Sequence, residues 1–302
     1  MSDESQGPTR DMELDSENHH VKWLFAVNVR LSKLIESLLR NYVFDVPTEG
    51  LPPVRAMLLL AMGKGYKTHR AMLILAQRGY GEDASILLRT LFELAVDARY
   101  VAQAPRSERA LRWLDYDWVE RYELYRVPVS DPFLRDLKSA VEAGDSTPVE
   151  VKRQAARVQR EWGFWRKELP NGELLHPKSW SGDSVAGLAK QVGWGSIYNT
   201  LYKLTSMLVH HSPRTANGYL ERVGDRFIRV KVSADIQGLD AVLPAGFDFL
   251  HAIILAWHQL SPLPKEIESV RQEIASEYER KMTEHVGSDG VESLKRAGFL
   301  SD

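Results

Sequence analysis

The chain has 302 residues, 44% hydrophobic and 26% charged, the mix of an ordinary globular protein with room for a sizeable core. A net charge of −2 excludes a general attraction to nucleic acid or acidic membranes, so any such binding needs a local patch. The absence of cysteine excludes disulfides, thiolate nucleophiles and Cys-ligated metal sites, and fits a cytoplasmic location.

Residues 1–18 (MSDESQGPTRDMELDSEN) are polar, acidic and without periodicity, which predicts a disordered tail rather than a signal or transit peptide. From His20 to Phe44 apolar residues recur at three and four (Trp23, Leu24, Val27, Leu31, Leu34, Ile35, Leu38), the pattern of a helix. DVPTEGLPP breaks it, and a second helix is expected over Val54–Arg78. Gly63 and Gly65 inside that helix each cost about 1 kcal/mol relative to Ala, which predicts a kink or a close helix contact. GKGYKT lacks both the order and the preceding strand of a phosphate loop.

A third helix, GEDASILLRTLFELAVDARYVAQA, ends at Pro105, and a fourth runs from Arg106 to Arg126. A short helix over Pro132–Ala143 and a long one over Val149–Leu169 follow. Residues 170–184 read as a loop whose Asp183 or Ser184 caps the next helix. Another helix covers residues 194–211. YLERVGDRFIRVKV (219–232) departs from helix: Gly224-Asp225 between alternating runs predicts a small β-hairpin. Helices return over Gly246–Leu260 and Pro264–Glu284. The apolar run FDFLHAIILAW is far short of the roughly 20 residues of a membrane span. The expected fold is therefore all-α, an irregular bundle of about nine helices with one small hairpin. Its domain covers residues 19–285, with a marginally ordered tail over 286–302.

The third helix is apolar around most of its circumference, so it should be central. Arg89, Glu93 and Asp97 nevertheless form one four-spaced stripe along it. Buried charges must be paired, and an Arg-before-Glu helix pair is worth only ~0.2–0.5 kcal/mol even in its better order. The stripe is therefore expected to face polar groups on another helix. YNTLYKLTSMLVHHS supplies them: Tyr198, Tyr202, Ser206 and His210 at four-residue spacing, then His211. Such a meeting is either a polar network that fixes packing or a site in which Arg89 holds an anion while Glu93 and His210 move protons.

His251 and His258 share a helix face but lack the acidic partner of a metal motif, and no cofactor or metal spacing is found elsewhere. Arg153, Arg157 and Arg160, near Trp162 and Trp165, form the one basic face to test for nucleic acid. Acidic Glu150, Glu161 and Glu168 dilute it, as on a solvated face. The aromatic fourth helix suggests a homodimer surface.

ASILLRTLFELAVDARYV, HPKSWSGDSVAGLAKQVG and YNTLYKLTSMLVHHS together resemble the DUF5677 family of bacterial proteins, whose function is not established. The family pattern is an Arg-x-x-x-Glu helix, a Trp-Ser-Gly loop and a late Tyr-x-x-x-Ser-x-x-x-His helix. The resemblance places these on Arg89 and Glu93, on Trp180, and on Tyr202, Ser206 and His210. It also extends distantly to HEPN ribonucleases, which carry Arg, four to six residues, then His on one helix. Here Lys203, Leu204 and Thr205 occupy the positions where that Arg should stand. The expectation is a ligand-sensing or interaction module with a polar pocket between the two helices. Its partner would be a small anion or RNA. The alternative is a metal-independent HEPN-like ribonuclease or other hydrolase using His210, Glu93 and Arg89.

Overall fold

A helix that is apolar nearly all round has to be enclosed by others, and this is the position of the third helix in the computed structural model. The structure describes residues 19–41, 51–104, 108–127, 132–133, 135, 147–209, 220–223, 227–230 and 238–297. Its helices are α1 (His19–Asn41), α2 (Pro53–Gln77), α3 (Gly81–Ala102), α4 (Glu108–Asp115), α5 (Asp117–Arg126), α6 (Pro148–Trp162) and α7 (Val185–Gln191). After these comes α8, one rod in three parts: a turn at Gly195–Ile197, a π-helical stretch at Tyr198–Tyr202 and an α-helical part at Lys203–Val209. The chain continues through α9 (Leu239–Leu260) and α10 (Lys265–Ala297). Two antiparallel hairpins are set among them, β1 (Trp165–Glu168) with β2 (Leu174–Pro177), and β3 (Leu220–Val223) with β4 (Phe227–Val230). The all-α prediction and its hairpin hold.

Helix α3 packs between α2 and α9 and supports α7 and α8, while α1 lies across α2, α9 and α10. Leu88, Leu91, Phe92, Ala95 and Val96 are buried along it. Close approach explains one of the two helix glycines. A side chain at Gly65 would meet Ile253 Cδ1 at 3.0 Å and Leu250 Cδ1 at 3.6 Å, whereas Gly63 has open space. The same logic holds at Gly246, where an added Cβ would lie 2.4 Å from Met72 Cε. Phe92 joins three elements, meeting Trp194, Tyr202 and Phe249 at ring distances of 5.9, 5.3 and 5.2 Å. Such pairs contribute about 0.5–1.5 kcal/mol each beyond burial.

A second, smaller core joins α5, α6 and the first hairpin through Val119, Tyr122, Val158, Phe164, Trp165 and Leu174. Helix α6 begins at Pro148 behind a Thr147 side chain that accepts from Glu150 N at 3.2 Å, and ends at Gly163 in the left-handed region (φ 62°). That stop corrects the helix expected to continue to Leu169. The residues after the glycine pair as β1 instead, giving a hairpin that helical periodicity did not predict. The helix expected from Arg106 to Arg126 breaks at Tyr116 into α4 and α5.

Helix α9 also starts earlier than its expected Gly246, at Leu239, and carries Pro244 in its second turn at the loss of one backbone hydrogen bond. This lengthens the apolar stretch: Leu239–Leu260 has 22 residues and a mean hydropathy of 1.6, enough by length and composition to cross a membrane. The short-run expectation is corrected to that extent. The helix is instead the inner wall of the bundle, with 78% of its most apolar window buried. Helix α10 runs past the expected end at Glu284 and turns at Gly287 (φ 76°, ψ 165°). The acidic tail over residues 1–18 and most of the helix expected over Pro132–Ala143 lie outside the described residues.

Candidate functional site

The charged stripe of α3 and the polar ladder of α8 meet. Arg89 Nε donates to Glu93 Oε1 at 3.3 Å and Nη1 donates to Ser206 Oγ at 3.1 Å. The Tyr202 hydroxyl donates to the same Glu93 oxygen at 2.8 Å. The guanidinium carbon of Arg89 lies 4.8 Å from the centre of the Tyr202 ring, a cation–π contact. Tyr198 stacks on Tyr202 with ring centres 4.8 Å apart and planes inclined by 21°. The π-helical stretch has a local reason to matter here. Its wider turn changes the rotation between Tyr198 and Ser206 from that of an α-helix, and such insertions recur at functional sites.

The electrostatics follow from this geometry. Burial raises Tyr202 to about 12, helped by its bond to Glu93, so the phenol stays a neutral donor. For Arg89, burial works against the charge, but Tyr202 and Glu93 outweigh it and raise the group further. One turn along α3, Asp97 is raised to about 7, first by burial and then by the neighbouring charge of Glu93. A hydrogen bond from Trp180 and the charge of Lys64 oppose that rise. Trp180 is itself fixed: its carbonyl accepts from Arg112 Nε at 2.6 Å and its ring meets Tyr100 edge-on at 5.7 Å. Gly182, next in the Trp-Ser-Gly loop, has φ 82°, and a Cβ there would stand 3.1 Å from Arg112 Nη2. The three sequence motifs are thus one physical neighbourhood. Ser184, not Asp183, caps α7, accepting from Gly187 N at 3.2 Å.

His210 and His211 lie outside the described residues. The arginines of α6 are drawn to carboxylates. Arg153 pairs with Glu150 at 2.6 Å, and Arg157 with Asp115 at 2.7 Å and Glu161 at 2.9 Å. Asp115 also accepts from Trp162 Nε1 at 2.7 Å, which makes Arg157 part of a packing contact. Arg160 is exposed on the same helix. Among the described residues, no group of three or more His, Asp or Glu is placed to hold a metal ion.

Two further polar sets were missed by motif reading. His69 Nε2 faces Asn28 Oδ1 at 2.8 Å and Nδ1 faces Ser32 Oγ at 2.7 Å, all three fully buried. The Asn28 amide nitrogen is spent on the Leu24 and Leu243 carbonyls, so its Oδ1 accepts. This fixes His69 as the Nε2–H tautomer with Nδ1 accepting from Ser32. Burial, with the charge of Arg70, lowers His69 to about 3. The sequence holds only half of the signal: Asn28 and Ser32 are four apart on the apolar face of α1, and nothing in their spacing points to His69. The second set clamps α10 to α9, with Arg271 Nη1 donating to His251 Nε2 at 2.8 Å while its Nη2 pairs with Glu268 at 2.6 Å.

The model of a family described as "Family of unknown function (DUF5677)" matches residues 55–227, more than half of the chain, and spans all the elements that build the Arg89 cluster. No curated protein and no solved structure matches. The chain belongs to the DUF5677 family.

Proposed function

We propose that the Arg89–Glu93–Tyr202–Ser206 cluster is the recognition site of a ligand-sensing or interaction module, and that what it recognises is a small anion. One observation supports this above the rest: the Arg89 and Glu93 side chains remain 25% and 40% exposed. A network serving only to fix packing is sealed and fully paired. Glu93 engages the Nε edge of Arg89 and Ser206 engages one Nη1 hydrogen. A guanidinium has five N–H groups, so donors remain for the two oxygens of a carboxylate or phosphate. Tyr202 underneath holds the plane of the guanidinium, which reduces the entropy lost on binding.

The test is a titration with inorganic phosphate against chloride at matched ionic strength, read as thermal midpoint. A ligand that binds only the folded state raises that midpoint with concentration. The wild type should show a saturable rise. Arg89→Lys should lose most of it, because a lysine is a point charge without the fork. No rise, or an equal rise in Arg89→Ala, would end this reading. The hydrolase alternative is separated in parallel by incubation with RNA, where cleavage by the wild type and not by His210→Ala would move the cluster from recognition to catalysis.

A further inference from the structure

The Arg89 cluster has an acceptor that its own donors leave unused. The two groups that reach Glu93, Arg89 Nε and the Tyr202 hydroxyl, fall on the same carboxylate oxygen, Oε1, at 3.3 and 2.8 Å. The other oxygen, Oε2, accepts from none of the described residues, and the Glu93 side chain is 40% exposed. A carboxylate offers lone pairs on both oxygens, so the outer half of Glu93 is ready for a donor from solution. The two bonds on Oε1 hold it in place beforehand.

A further carboxyl group stands one turn along α3. Asp97 is partly exposed and close enough to Glu93 for the two charges to interact. Lys64 on α2, itself exposed, lies near Asp97 and opposes that charge. The exposed edge of α3 thus runs from a cation at Arg89 to carboxyl groups at Glu93 and Asp97.

This polarity restricts which anion can settle at Arg89. Arg89 and Glu93 are in contact, so their outer atoms are neighbours. A bare dianion drawn to the guanidinium comes to lie beside the Glu93 carboxylate, and the repulsion offsets part of the attraction. A ligand that carries its own cation next to its anion escapes this opposition. Its anionic end meets the guanidinium donors not spent on Glu93 and Ser206, while its cationic end meets Glu93 Oε2. The contact between Arg89 and Glu93 also sets the spacing. It matches charges borne on adjacent carbon atoms, as in an α-amino acid, better than charges at the two ends of a long chain.

We infer that the cluster selects a zwitterion, an α-amino acid whose carboxylate is held by Arg89 and whose ammonium is held by Glu93. The inference rests on recognition of an anion at Arg89 and adds a role for Glu93 in choosing which anion.

The experiment is an NMR titration of the full chain with L-alanine, with propionate lacking the amine, with ethylamine lacking the carboxylate, and with inorganic phosphate, all at matched ionic strength. Alanine should bind with Kd on the order of 1 mM, about five-fold tighter than propionate. Ethylamine should bind more weakly than either. Glu93→Gln removes the charge at a half-exposed position and should bring alanine and propionate level, whereas Glu93→Asp keeps the charge and should retain part of the preference. Equal affinity for alanine and propionate in the wild type would overturn the zwitterion and leave the anion reading standing. Ethylamine binding as tightly as alanine, or a preference for alanine that survives Glu93→Gln undiminished, would overturn it as well. If alanine, propionate and phosphate all fail to bind by about 10 mM, the anion reading falls and the zwitterion with it.

Discussion

The Asn28–Ser32–His69 network and the Arg89–Glu93–Tyr202–Ser206 cluster both set polar groups into apolar helices, yet they meet solvent differently. The first is closed, neutral and saturated, with every donor facing an acceptor. The second is charged and part open, with Glu93 shared by Arg89 and Tyr202 at the edge of the bundle. The difference separates two uses of polarity. A closed network specifies which helices pack and in what register, and it gains nothing from water. An open cluster tolerates exchange of partners, the property a recognition site needs. The largest predicted effect therefore belongs to the closed one. His69→Leu strands Asn28 Oδ1 and the Ser32 hydroxyl in the interior, at a cost of about 2–4 kcal/mol. Urea denaturation should show the midpoint falling with the slope unchanged. A loss no larger than that of a surface substitution would show that the network is replaceable by packing.

The two regions should also respond to pH with opposite signs. His69 has a folded value of about 3 against an ordinary 6.5, and His251 matches it. As pH falls below 6.5 the unfolded chain takes up protons that the folded chain refuses, so these groups remove stability between 6.5 and about 3. Asp97 has a folded value of about 7 against an ordinary 3.8. Between those values the folded chain holds a proton that the unfolded chain has released, so stability rises as pH falls through the window. The groups that face Asp97 are Glu93, Trp180 and Lys64, while Arg271 and Glu268 face His251. His69→Gln keeps a neutral donor and acceptor and should flatten the acid loss. Asp97→Asn removes the opposing gain and should steepen it. Urea midpoints at about pH 7 and pH 5 decide this, and parallel slopes in the two variants would contradict the assignment.

Much of this was legible in the chain and some was not, for reasons visible at particular residues. The central place of α3 followed from Leu88, Leu91, Phe92 and Ala95, because an all-round apolar surface has no solvent face to offer. The encounter of Arg89 and Glu93 with Tyr202 and Ser206 followed from the cost of leaving charges alone. The β1–β2 hairpin escaped notice because α6 and β1 read as one periodic run, and only the left-handed Gly163 separates them. The π-helical turn was invisible, since a widened turn leaves the order of residues untouched. The His69 network was missed because its three residues have no sequence spacing that joins them. Asn28 and Ser32 lie one turn apart on α1, but their partner comes from another helix.

The smallest effect sharpens the comparison most. Tyr202→Phe removes one hydroxyl and leaves the rest of the residue's work intact. The ring still supports the Arg89 guanidinium, stacks on Tyr198 and packs against Phe92. Glu93 loses the 2.8 Å bond from the phenol, but its side chain is 40% exposed, so water takes the vacated position. The expected loss of stability is about 0.5–1 kcal/mol, the net value of a hydrogen bond whose partner can be resolvated. Had Glu93 been enclosed as His69 is, the same deletion would cost the full desolvation of a carboxylate oxygen, several-fold more. Comparing Tyr202→Phe with His69→Leu by urea denaturation at neutral pH therefore measures how open the cluster is in solution. A ratio near one would mean that Arg89 and Glu93 are sealed in the folded protein, and recognition of an anion there would lose its physical basis.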